Sequence, residues 1–129
     1  MADNKDSMWP RGPREQWRAM IWSFQGLRAA WLVESSFRTE VVVFLVLAPL
    51  GWYLGQTPVE QVLLIGSPML VMAAELLNSA VEALIDRYGP EQHELAGRAK
   101  DMGSAAVFVL LVNMVLCWGL LVGPRLLAA

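Results

Sequence analysis

The chain has 129 residues, 56% of them hydrophobic, with a formal net charge of −2. That length allows one domain. The charge leaves no basic footprint for nucleic acid, and the single cysteine excludes an intrachain disulfide. The apolar residues gather in blocks, which says more than their total.

Residues 1–13 are polar and broken by Pro10, Gly12 and Pro13. They hold neither an apolar core nor a small-residue cleavage site, so they read as a retained, disordered tail rather than a signal peptide. Residues 14–31 follow with helical spacing. Trp17, Met20, Ile21, Phe24, Leu27 and Trp31 share one side, and Arg14, Arg18 and Arg28 fall mostly on the other. Such a helix suits the plane of a membrane interface. An ordinary surface helix would need a soluble core to cover, and the rest of the chain leaves little of one.

Val41–Leu54 is the first strongly apolar block. A span needs about 20 residues, so the helix is expected to reach back through Phe37 and Ser36 to Ser35, taking in Arg38 and Glu40. The turn Gly55-Gln56-Thr57-Pro58 ends it. The second block runs from Val59 to about Ile85, with Pro68 expected to kink it. Its helical pattern continues past the apolar part and carries Glu75, Asn78, Glu82 and Asp86. A polar loop is expected over Arg87–Asp101, then a third span over Met102–Val122, stopped by Gly123-Pro124. Asn113 within it reads as a helix–helix contact, and Cys117, beside Trp118, as a packed and inert thiol.

Lys5, Arg11, Arg14, Arg18, Arg28 and Arg38 precede the first span, and Arg87, Arg98 and Lys100 follow the second. The connection over residues 55–61 has no Lys or Arg. The positive-inside rule then predicts a cytoplasmic N-terminus and an outward C-terminus in a multi-pass membrane protein.

Glu75, Asn78, Glu82 and Asp86 stay within one sector of a helix at 100° per residue. Three carboxylates and an amide beside a membrane repel one another and require compensation. Two readings are open. A divalent cation supplies the compensation, with oxygen ligands favouring Mg²⁺, or the face is a solvated helix end with arginine partners. There is no GxxxxGK[ST] loop and no GxGxxG kinase loop. Phosphoryl transfer nevertheless needs only metal ligands, a cation on the phosphates and a group to position the nucleophile. The carboxylates and Lys100 meet that need.

The stretch Glu75-Leu76-Leu77-Asn78-Ser79-Ala80-Val81-Glu82 resembles the ExxNxAxE signature of the prokaryotic diacylglycerol kinases. Asp86-Arg87, the run from His93 to Val107, and Gly26-Leu27-Arg28-Ala29-Ala30-Trp31 with Glu34, Phe37-Arg38 and Glu40 are similar to that family too. The resemblance extends from about Trp22 to the end of the third span. It implies an all-α membrane protein: a homotrimeric helical bundle, each chain with three transmembrane helices and an N-terminal amphipathic surface helix, with sites shared between chains. It implies an enzyme that phosphorylates diacylglycerol to phosphatidate with ATP and Mg²⁺. Under it, Glu75 matches the base on the lipid hydroxyl, and Glu34 and Glu82 match the metal carboxylates, which also touch ATP. Lys100 and Asp101 match nucleotide contacts, with Glu91, Gln92 and His93 near the adenosine and Trp22 where a tyrosine is usual. Ser104 matches a lipid-side contact and Asn78 a further site residue. Asp86 belongs to the same face. Arg14 is placed to replace an arginine that the family often has where this chain has Glu15.

Two other functions compete. Undecaprenol kinases share the ExxNxAxE core, although the wording from Gly97 to Ser104 is nearer the diacylglycerol branch. A non-catalytic three-span assembly protein would use the acidic face as a salt-bridged seam and would have no Mg²⁺ dependence.

Overall fold

The computed structural model describes residues 12–89 and 93–129. Among them are four helices: α1 (Pro13–Val33), α2 (Ser35–Leu54), α3 (Pro58–Arg87) and α4 (Glu94–Leu127). The last three are each long and apolar enough to cross a membrane, and a segment that crosses must satisfy its backbone internally, as a helix does. This is therefore an all-α membrane protein. Most of its large apolar side chains face outward, as lipid-facing side chains do.

α1 starts where Glu15 folds back to accept from the Gly12 N–H at 2.9 Å, with Pro13 in the first turn. Glu15 is thus a helix cap. α1 ends at Val33, and the next residue but one already belongs to α2. Glu34 alone makes the corner, in an extended conformation (φ −102°, ψ 113°). At the other end of α2, Thr57 accepts from the Glu60 N–H at 3.2 Å and caps α3, with Pro58 next.

α3 lies between α2 and α4 and packs extensively on both. The α2–α3 crossing is close, since a Cβ on Gly51 would stand 2.9 Å from the Leu64 Cβ. On the other side Val71 and Ala74 meet Val107, flanked by Leu110, Leu111 and Met114. At the end far from the acidic face, Arg125 of α4 makes a two-pronged pair with Glu60 at 2.8 and 2.9 Å. It also donates to the Leu54 carbonyl at 3.1 Å, so one guanidinium joins α2, α3 and α4.

Three sequence expectations change. The loop over Arg87–Asp101 is much shorter, because α4 begins at Glu94. His93 caps it, its Nδ1 accepting from the Leu95 N–H at 3.1 Å, and an Arg98–Glu94 pair at 2.9 Å supports the first turn. Gly123-Pro124 does not stop α4, which continues to Leu127. A proline removes one hydrogen bond four residues back, and a helix in apolar surroundings with Arg125 anchored continues past that loss. α3 likewise continues through Pro68, which lies inside it. Asn113 is half-buried and makes no hydrogen bond within the described chain, so it is no contact between this chain's own helices. Cys117 is a free, half-buried thiol.

Candidate active site

The Glu75 end of the acidic face lies near the α1–α2 corner and the start of α2, while Asn78 and Asp86 meet α4. Glu75 is 8% exposed. Ser36, in the first turn of α2, sets its hydroxyl near the Glu75 carboxylate, and Glu82 and Glu34 lie within electrostatic reach of it. Glu40, one turn further along α2, also lies within electrostatic reach of Glu75, and its Oε2 is buried without a hydrogen-bond partner. Acids from the α1–α2 corner, from α2 and from α3 therefore converge.

No ion pair falls on Glu34, Glu40, Glu75 or Glu82 among the described residues. Among the described residues the one ion pair on this face is the Asp86–Lys100 contact at its far end, and the repulsion among the other acids has no cationic partner there. Carboxylate oxygens without cationic partners suit a hard divalent ion. Among the described residues no three such side chains converge tightly enough to form a complete cage. Mg²⁺ seldom uses an all-protein cage; it takes one or two carboxylates and fills the rest of its shell with water and phosphate oxygens. The carboxylates of Glu34 and Glu82 have the donor chemistry that such a shell takes.

Asn78 lies one turn from both Glu75 and Glu82. Its Oδ1 is buried and unpartnered. It presses against Gly103 of α4, where any Cβ would collide with the amide. Asp86, one turn beyond Glu82, faces Lys100 of α4 at 4.0 Å. Lys100 and Asp101 thus stand on the second turn of α4, beside the end of the acidic face, and Ser104 follows one turn later. All three are exposed. His93 is exposed as well. Its Nδ1 is committed to the cap, so the neutral ring carries its proton on Nε2 and presents a donor outward.

Beside the acids, α1 and α3 enclose a cavity of about 590 Å³. Its walls are mostly small and apolar, among them Gly26, Ala30, Ala80 and Ala83, and Glu34 is part of the lining. The cavity thus sets an apolar lining beside one carboxylate-bearing residue.

The structure does not gather every expected residue. Arg14 and Trp22 lie exposed on the first half of α1, and no hydrogen bond or ion pair joins either to the acids. Glu91 and Gln92 lie outside the described residues. Ser36 and Gly103 are additions, while Glu40, named in the sequence with Glu34 and Arg38, is brought within reach of Glu75. Serine at the head of a span and glycine in a helix carry no signal alone; only the packing of α2 and α4 on α3 brings them in.

Residues 21–122 match the family model for prokaryotic diacylglycerol kinase. A diacylglycerol kinase of Haemophilus influenzae is 52% identical over 98 residues, covering 76% of this chain and 83% of the relative. That of Escherichia coli strain K12 is 50% identical over 104 residues, 81% of this chain and 85% of the relative. One from Helicobacter pylori strain 26695 is 39% identical over 109 residues, 84% and 85% of the two chains. The chain belongs to the prokaryotic diacylglycerol kinase family.

Proposed function

We propose that this chain transfers the γ-phosphoryl group of ATP to the free hydroxyl of diacylglycerol, giving phosphatidate and ADP at the cytoplasmic face of the bacterial inner membrane. The observation that carries the reading is that Glu34 and Glu82 both lie within electrostatic reach of the buried Glu75, that none of the three has a cationic partner among the described residues, and that Glu34 also lines an apolar cavity. A lipid hydroxyl and a nucleotide phosphate must meet at such a boundary.

Glu75 is the acid most withdrawn from water. It takes the hydroxyl proton as the lipid oxygen bonds to the γ-phosphorus and the bond to ADP breaks. Ser36 orients its carboxylate, and Asn78 holds the neighbouring turn against α4. Glu82 lies two turns further on, about 10 Å along the axis, so one face of α3 reaches both substrates. Glu34 and Glu82 hold Mg²⁺, which when bound offsets the charge of the phosphates. Lys100 supplies a fixed cation to the phosphates, with Asp86 beside it. Asp101, His93, Glu91, Gln92 and Trp22 serve the nucleotide, Arg14 a phosphate oxygen, and Ser104 the lipid headgroup.

The whole chain acts as one membrane domain, N-terminus inside and C-terminus outside, assembled as a homotrimer. Assembly is supported by the thinness of the bundle: α3 separates α2 from α4 over most of their length, and the acidic face stays open on one side. A neighbouring chain closes it.

The test presents MgATP with diacylglycerol and with undecaprenol, side by side, to the purified protein in bilayers. Phosphatidate as the main product is expected. Preferred phosphorylation of undecaprenol would overturn the substrate, and no Mg²⁺-dependent transfer to either would favour an assembly role.

A further inference from the structure

Arg38 stands on the first turn of α2 and turns back toward α1. Its guanidinium donates to the backbone carbonyls of Trp31 at 2.8 Å and Leu32 at 3.4 Å. These belong to the last turn of α1, whose carbonyls lack partners inside the helix and carry its negative pole. Two acids lie close in the chain, Glu34 one turn before Arg38 and Glu40 two residues after. Arg38 pairs with neither. An arginine among acids that spends its donors on backbone does not serve to neutralise the site. It fixes a corner instead.

That corner is Glu34. The residue belongs to neither helix, its N–H closes α1 on Ala30 at 2.8 Å, and its carbonyl accepts from the Arg38 N–H at 3.2 Å. Its side chain lines the cavity and faces the α3 acids. With one residue joining two helices, a small change in the angle between them carries the carboxylate away from α3. We propose that Arg38 is a positioning residue: by holding the last carbonyls of α1 it sets the α1–α2 angle, and so keeps the Glu34 carboxylate in register with Glu82 for a divalent cation. The inference rests on the reading of Glu34 as a metal carboxylate. Both bonds leave one nitrogen of a rigid, planar guanidinium, whereas the lysine ammonium is a flexible point that is held in place less well.

The test uses the full chain in lipid nanodiscs, in a Cys117→Ala background. Nitroxides at Gln25→Cys and Leu84→Cys, in labelled protein diluted with unlabelled, report the distance between α1 and α3 by pulsed electron resonance. Unlabelled samples report binding of Mn²⁺ with a non-hydrolysable ATP analogue. Arg38→Gln is expected to broaden the distance distribution and weaken Mn²⁺ binding by about tenfold, the usual scale for a group that orients a metal ligand. Arg38→Lys should fall between, which separates positioning from general loss of folding. Glu34→Ala should weaken Mn²⁺ binding without broadening the distances. An unchanged distribution in Arg38→Gln overturns the proposal, as does unchanged Mn²⁺ binding when Glu34→Ala weakens it. Unchanged binding in Glu34→Ala removes the metal reading of Glu34 itself, and the role of Arg38 with it.

Discussion

The Trp118 indole N–H donates to the Leu64 carbonyl at 3.1 Å, and Pro68 is the reason that this carbonyl is free. A proline in a helix has no N–H for the carbonyl four residues back. Leu64 is fully buried between helices, where water cannot take over. A side chain of α4 therefore repairs a gap in α3 and ties the two spans together.

Trp118→Phe keeps an aromatic side chain, smaller than the indole, and removes the donor. It should cost about 0.5–1.5 kcal/mol of stability, measured by reversible unfolding in detergent. In a Pro68→Ala background the helix supplies its own N–H, and the same substitution should cost clearly less. Equal losses in both backgrounds would mean that the indole acts only through packing.

Gly103→Ala places a methyl group against the Asn78 amide. The variant should lose about 1–3 kcal/mol of stability, as overpacked sites do, together with most of its activity. Adding Asn78→Ala should restore the fold without restoring turnover, because the space returns but the amide does not. Thermal unfolding and the lipid kinase assay, run on the same preparations, separate the two effects.

Arg125 and Glu60 close the end of the bundle away from the acids. Arg125→Ala and Glu60→Gln should each lower the thermal midpoint by a few degrees and leave KM for ATP unchanged. Exchanging the two charges in Glu60→Arg/Arg125→Glu should recover part of the loss. A large change in KM would show that the far end reaches the site, contrary to the division of the molecule given above.

The carboxylates should divide by role. Glu75→Gln keeps the shape and cannot accept a proton, so kcat should fall by about 100-fold or more with little change in apparent Mg²⁺ or ATP affinity. Glu82→Gln and Glu34→Ala should raise the Mg²⁺ concentration needed for half activity. A loose transition state asks little of a base, so near-native turnover in Glu75→Gln would reassign Glu75 to metal binding or structure.

Sharing of sites between chains is checked by mixing. Trimers formed from Glu34→Ala and Glu75→Gln chains should regain part of the lost activity if the two residues serve one site from different chains. Mixed trimers that stay inactive would place each site within a single chain.

Much of this protein is determined locally. Apolar runs of membrane length can only be helices, because no water is present to satisfy an open backbone, so three spans are legible from composition alone. The sector shared by Glu75, Asn78, Glu82 and Asp86 follows from 100° per residue, and the caps at Gly12, Thr57 and His93 involve neighbours in sequence. What local pattern does not carry is compensation at a distance. Pro68 and Gly123-Pro124 look like breaks until packing shows what holds the chain through them. Lys100 and Asp101 look like loop residues because polarity cannot distinguish a loop from the solvated turns of a helix that leaves the bilayer. Ser36, Glu40 and Gly103 join the acids only because α2 and α4 lie against α3, and Arg38 turns to backbone rather than to the acids beside it because the α1–α2 corner brings unpaired carbonyls within its reach.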